Sequence, residues 1–288
     1  MRQVASVIFI FVFSNIGAAF KADVSSWVSL TYPLSEKTPV YPGVYDPLRI
    51  NPEKSAATDE WPGIPAADGT YVAFRFIEMY EHTGTHVDAP SHFCKGCKDE
   101  ADLTWEELTG PLVIINVREI VKNANSSSFH LQAEHLHPFV EHYGPIESGS
   151  FLFINTGWGD FYWTDGEKYA KEPACLGESA VDWVLEHAPD ILGLGIDALA
   201  PECGDNKSFR LHTTMLPRGQ LIVENVKSSG MDQLPPKGSY LMMFPMHLKG
   251  GTGSPVRMVA VRDSSAAPRL SLLALLSLFF NTFASYLK

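Results

Sequence analysis

The chain has 288 residues, is 45% hydrophobic and 19% charged, and carries 22 Gly and 20 Pro. That apolar mass excludes a disordered or fibrous chain and suffices for one large domain or two small ones. A formal net charge of -11 repels phosphate backbones, so nucleic acid is not an expected partner.

In chain order, Met1-Arg2-Gln3 is followed by an apolar run, Val4 to Ile16, and by Gly17-Ala18-Ala19. A charged start, an apolar stretch and small residues predict a secretory signal peptide over 1–22, cleaved after Ala19 or Ala22. The run is short for a spanning helix. Residues 30–70 hold Pro33, Pro39, Pro42, Pro47, Pro52, Pro62 and Pro65, which predict irregular chain and short strands without helices.

The alternating, aromatic run Tyr71 to Tyr80 reads as a strand. Pro111 to Val117, Phe151 to Thr156, Ile191 to Ile196, Leu221 to Val223 and Tyr240 to Phe244 are continuous apolar runs of the kind that form buried strands. Helical spacing marks Thr104 to Leu108, Gln132 to Tyr143 and Glu178 to His187. Strands interleaved with a few helices, and no linker, predict a single mixed α/β domain over 23–263.

Residues 264–288 close the chain. Ser264-Ser265-Ala266-Ala267, a short spacer and the uncharged Leu270 to Leu287 predict a GPI-anchor signal, with a transmembrane helix as the alternative. Either places the domain on the extracellular face of a membrane. Asn125-Ser126-Ser127 and Asn206-Lys207-Ser208 are glycosylation sequons that agree with secretion. Cys94, Cys97, Cys175 and Cys203 allow three connectivities. Structural disulfides are the expectation, because no second close pair completes a zinc finger; the sequence does not choose among the pairings, and 94–97 with 175–203 is taken as the working one.

The chemistry concentrates in His82-Thr-Gly-Thr-His86-Val-Asp88-Ala-Pro-Ser-His92. Gly84, the two Thr, Val87 and Pro90 oppose a helix. In extended chain, residues two apart share a face, so these three His and one Asp could meet at one point. Imidazole nitrogen with carboxylate oxygen and no thiolate suits an open Zn²⁺, Mn²⁺ or Fe²⁺ site. No G-x-S-x-G, P-loop or G-x-G-x-x-G accompanies it. Gly250-Gly251-Thr252-Gly253 reads as a tight turn.

This segment resembles the signature of the cyclase family of metal-dependent hydrolases, which includes bacterial kynurenine formamidase and isatin hydrolase. The resemblance extends over residues 27–262 through Thr38 to Gly43, Gly110-Pro111, Thr156-Gly157-Trp158, Gly195-Ile196-Asp197 and Gly253 to Arg257. It also includes His212 followed twelve residues later by Glu224. It implies a mixed α/β barrel-like domain, generally a homo-oligomer. It implies further that His82, His86 and Asp88 hold one divalent ion, and that Asp88, His212 and Glu224 hold a second. His92 would move protons. Zinc is the expected metal and manganese the alternative, with one or two ions.

A bound ion would lower the pKa of water and polarise the carbonyl under attack, while His92 protonates an amide's leaving nitrogen. The expected activity is hydrolysis of a C–N amide bond, resembling arylformamidase, which converts N-formylkynurenine to kynurenine and formate. A cyclic-amide hydrolase of the isatin type and a catalytically silent surface protein are the alternatives. Tyr41 and Trp158, with Phe161, are candidates to line a substrate pocket. His130, His135, His137, His142, His187 and His247 read as surface or structural.

Overall fold

Apolar runs that are buried on both faces become the wall of a barrel. A computed structural model describes residues 24–56, 64–65, 71–124, 126, 128–171, 173–203 and 208–262. The predicted signal peptide, the C-terminal tail, Asn125 and Asn206 lie outside the described residues. Eight strands form the main sheet: β1 (Trp27–Ser29), β2 (His86–Asp88), β3 (Thr109–Asn116), β4 (Phe151–Asn155), β5 (Gly193–Ile196), β6 (Leu221–Glu224), β7 (Ser239–Pro245) and β8 (Gly253–Arg262). Their order is β1-β8-β7-β3-β4-β5-β6-β2, and β2 pairs back onto β8. Seven strands, β2 to β8, therefore close on themselves. The β3-β4-β5-β6 pairings are parallel and the rest antiparallel.

Strand periodicity assigns each side chain to the inside or outside. Leu112, Ile114, Phe151, Phe153, Leu221, Val223, Leu241, Met243, Val256 and Met258 belong to one buried cluster, together with Val87. These are alternate residues of the barrel strands, so this cluster fills the interior. The intervening Val113, Ile115, Leu152, Ile154 and Leu194 face a second cluster outside the wall. Helices α1 (Ala133–Tyr143) and α2 (Glu178–His187) cover it with Leu136, Phe139, Val181 and Val184. Helical cover explains why all five residues of β4 and all four of β5 are buried.

β8, ten residues long, serves two partners on one edge. Its first residues, Gly253 to Pro255, pair with β2, and Val259 to Val261 pair with β1 on the same edge. The disulfides are Cys94–Cys97 and Cys175–Cys203, as expected. Among the described residues, no helix is long and apolar enough to cross a membrane.

Two expectations are corrected. The run Tyr71 to Tyr80 is two strands, Tyr71–Val72 and Phe74–Glu78, in two separate two-stranded sheets. Residues 74–78 are all exposed, so aromatic alternation made a ribbon without a buried face. The Pro-rich region also holds an eight-residue strand, Arg49–Ala56. Its pairing shifts register between Asn51 and Ala56, the stretch that contains Pro52, which has no N–H for a ladder.

β5 contributes two glycines to the barrel, Gly193 and Gly195, and neighbours crowd both. A Cβ on Gly195 would lie 2.5 Å from Cδ1 and 2.6 Å from Cε1 of Phe153, whose side chain is fully buried. A packed interior leaves that ring nowhere to swing. Gly195→Ala is expected to destabilise the fold by about 1–3 kcal/mol. The change should appear as a lower urea midpoint at unchanged m-value.

Candidate metal centre

The parity that sends Val87 and Val223 into the barrel sends His86, Asp88 and Glu224 to its outer face. β2 and β6 are antiparallel, with Glu224 opposite His86 and Ile222 opposite Asp88. Their side chains are therefore neighbours by register alone. His82 arrives from a turn, because Gly84 takes a left-handed φ of 71° and bends the chain back before β2 begins. His92 ends a 3-10 turn, Pro90–His92. The expectation of one extended stretch thus holds over β2 only, and two bends bring in the flanking His. His212 comes from α3 (Arg210–Met215), which precedes β6.

Asp88 is the hub. Its Oδ1 lies 2.8 Å from His82 Nδ1 and 3.4 Å from His86 Nε2, and its Oδ2 lies 3.7 Å from His212 Nε2. Glu224 stands 3.4 Å from His86 Nε2 and 3.4 Å from His212 Nε2. Ligand atoms of His82, His86 and Asp88 lie within 4.8 Å of one another, as do those of Asp88, His212 and Glu224. The predicted ligand set is thus brought together. A third grouping, His130 with Cys175 and Cys203, has its sulfurs joined to each other.

The surroundings aim the ring nitrogens. His86 Nδ1 faces the Gly84 carbonyl at 2.8 Å. A carbonyl can only accept, so Nδ1 carries the hydrogen and Nε2 points at the carboxylates. His212 Nδ1 lies 2.6 Å from Glu202 in the same sense. His82 Nε2 meets Thr252 Oγ1 at 2.9 Å, and Thr252 donates to Glu81. These partners are the usual way proteins fix metal-binding imidazoles. None of Glu81, Glu202 or Thr252 carried a signal in the sequence, since each reaches its His from another part of the chain or from beside it without a motif.

The electrostatics ask for positive charge at this point. Asp88 is 1% exposed. Burial opposes its charge, yet hydrogen bonds from His82 and His86 hold its carboxyl well below the usual range. Glu224 is lowered against burial by His212 and His86. Burial opposes a charged His86, but Asp88 and Glu224 win and push it up to about 10. His212 is likewise pushed up to about 10 by Glu202 and Glu224. Three carboxylates, Asp88, Glu224 and Glu202, crowd the two raised imidazoles here, and a divalent cation can supply positive charge at this point. The donor set, its aim and its charge all fit a metal ion.

His92 differs from the other three His. Burial lowers its pKa below the ordinary histidine value. Among the described residues, neither of its ring nitrogens makes a hydrogen bond. It lies 4.2 Å from His82, centroid to centroid, and lines a cavity of about 240 Å³ over the cluster. Tyr41, Tyr45, Phe93 and Phe209 line the same cavity. Tyr41 is where it was expected. Tyr45 was not anticipated; it stands parallel to His82 and contacts Tyr80, and burial with nearby Glu224 and Asp88 pushes its phenol up to about 12.

Trp158 is not part of this cavity. It is 3% exposed, packs edge-on against Phe161, and lines a separate cavity with Arg118 and Lys168. The reason is strand order: Trp158 follows β4, and β5 stands between β4 and the ligand-bearing β6.

Asn225, directly after Glu224, clamps the two ligand segments. Its Nδ2 donates to the Gly84 carbonyl at 2.9 Å, its carbonyl accepts from Thr85 Oγ1 at 2.7 Å, and its Oδ1 accepts from Tyr169 at 2.8 Å. It does so at a left-handed φ of 56°, which Asn tolerates better than other side chains. Asn225→Ala is expected to cost about 2–4 kcal/mol, from the lost hydrogen bonds and the backbone angle together. Denaturant unfolding checks this value.

Known proteins share this arrangement of chain. A family model described as "Putative cyclase" matches residues 28–203, which include His82, His86, Asp88 and His92. An isatin hydrolase of Roseibium aggregatum is 25% identical over 209 residues, 68% of this chain and 77% of its own. A kynurenine formamidase of Salinibacter ruber is 27% identical over 234 residues, 75% of this chain and 97% of its own. The solved structure of isatin hydrolase A from Ralstonia solanacearum superposes with a TM-score of 0.69 at 24% identity, over 82% of this chain and 91% of that one. With the mixed α/β barrel matched in structure and more than half the chain matched in sequence, the chain belongs to the cyclase family.

Proposed function

We propose that this protein is a metal-dependent hydrolase of a C–N amide bond in a small, ring-bearing substrate. The observation that carries the reading is the convergence of His82, His86, Asp88, His212 and Glu224 at the floor of an aromatic cavity that His92 also lines. His82, His86 and Asp88 would hold one ion, and Asp88, His212 and Glu224 a second; zinc suits the set, and manganese is the alternative. Such an ion, when bound, lowers the pKa of water and polarises a carbonyl. The chain's own groups complete the site. Tyr41, Tyr45, Phe93 and Phe209 orient a planar group and exclude water. His92 can take a proton from the attacking water at a ring nitrogen and return it to the leaving nitrogen, giving acid and amine from amide and water.

Within this activity, one feature favours a neutral substrate such as a cyclic amide. The described residues lining the cavity include no Lys or Arg to pair with the carboxylate of an amino-acid substrate such as N-formylkynurenine. The two disulfides support placing the domain in an oxidising compartment.

Hydrolysis of isatin and of N-formylkynurenine by purified 23–263, with metal content measured on the same sample, tests the proposal. Turnover abolished by a chelator supports it; metal-free protein after incubation with Zn²⁺ or Mn²⁺ overturns it. His92→Ala is expected to retain metal and lose turnover about 10²- to 10⁴-fold. Metal binding should also displace about two protons per site from His86 and His212. Isothermal titration calorimetry in buffers of different ionisation enthalpy reads that number. Because protons and metal compete for the same nitrogens, affinity should fall as pH falls.

A further inference from the structure

We infer that the Cys175–Cys203 disulfide sets metal affinity at the His212 end of the site, acting through the positioning residue Glu202. The inference rests on the metal-dependent reading above. Glu202 is 3% exposed, and its carboxylate accepts the Leu211 N–H at 2.7 Å, the His212 N–H at 3.2 Å and His212 Nδ1 at 2.6 Å. Backbone and ring of His212 thus depend on one carboxylate. With Nδ1 engaged there, Nε2 is directed at Asp88 and Glu224. Wherever Glu202 stands, His212 Nε2 follows.

Glu202 itself is held from outside the barrel. It follows β5 on irregular chain and touches a small parallel sheet, Phe129–Leu131 with Ala174–Leu176. Leu176 N–H donates to the Pro201 carbonyl at 2.7 Å, and Leu176 forms an isolated bridge with Glu202. The covalent attachment comes from the next residue, Cys203, joined to Cys175 in the middle of Ala174–Leu176. Both cysteines are buried, at 1% and 4% exposure. The bond therefore fixes the peptide that carries Glu202, and Glu202 fixes the ring. A merely structural disulfide would raise stability and leave the ligand geometry to the barrel.

The test is Mn²⁺ affinity, read from the electron paramagnetic resonance of the free ion, on the oxidised full chain. Mn²⁺ is the probe because it prefers oxygen and nitrogen ligands, so the thiolates that reduction of the disulfide frees at 175 and 203, beside His130, compete for it less than they would for zinc when the redox state is varied. Glu202→Gln replaces an acceptor by an amide donor and should weaken binding about 10- to 100-fold. Cys175→Ala/Cys203→Ala should weaken it at least about tenfold. Combined, the changes should bind no more than about twofold weaker than Glu202→Gln alone, because they act along one path. Multiplying effects, or undiminished affinity in Glu202→Gln, would overturn the inference.

A second measurement needs no cysteine variant. Linkage is reciprocal, so Mn²⁺ must stabilise the disulfide by the factor by which the disulfide raises Mn²⁺ affinity. In a glutathione buffer, two glutathione thiols give one glutathione disulfide as Cys175–Cys203 takes up two electrons and two protons. Saturating Mn²⁺ should shift that equilibrium toward the disulfide at least about tenfold in the unaltered chain, and much less in Glu202→Gln. No shift in the unaltered chain overturns the inference. Failure of the unaltered chain to bind Mn²⁺ or Zn²⁺ at all would instead overturn the metal-dependent reading itself.

Discussion

The site turns on a buried carboxylate that cannot stand alone. Asp88 is sealed between β2's neighbours on the outer face of the barrel, where an unpaired negative charge would be prohibitive. Three imidazoles and a second carboxylate gather around it, and every other feature of the site supplies, aims or supports one of those groups. A hydrophobic wall makes the carboxylate strong as well as costly, because its field is little screened there.

The supports come from separate parts of the chain. Gly84 bends the backbone so that its own carbonyl meets His86 and Asn225. Asn225 in turn joins the β6 end to Thr85 and Tyr169. Thr252 steadies His82 from the turn before β8, and Glu202 steadies His212 from the disulfide-bonded loop. These side chains are therefore preorganised by hydrogen bonds that are indifferent to substrate. The cavity above them is shaped by aromatic side chains of the Tyr41–Tyr45 turn, Phe93 and Phe209.

How much of this could be read from sequence depended on whether a relationship was local. His82, His86, Asp88 and His92 stand close together in the chain, and their residue types alone marked a candidate metal site. The buried strands declared themselves as apolar runs, because parallel strands under helices need no polar face. His212 and Glu224 were reachable only by resemblance: a helix, a turn and a strand separate them, so no simple periodicity relates them. Glu202, Thr252 and Tyr45 were missed because their roles arise only when distant segments meet. β8 was hidden by its Gly-rich start, which read as a turn, although its later residues alternate between the barrel interior and solvent. Trp158 was misplaced because sequence shows which strand a residue follows but not where that strand sits in the sheet.

β8 has a consequence for when this protein can come into being. The first ligands lie at residues 82 to 88, yet the edge that holds β2 in place is supplied by residues 253 to 255. The same strand receives β1 from the start of the described chain. A growing polypeptide carries every ligand long before it carries the strand that seats the first of them. Closure therefore waits for nearly the whole described domain to emerge from synthesis, and it rests on contacts between segments far apart in sequence. Until then β2 has a partner for one edge only, the one that β6 supplies.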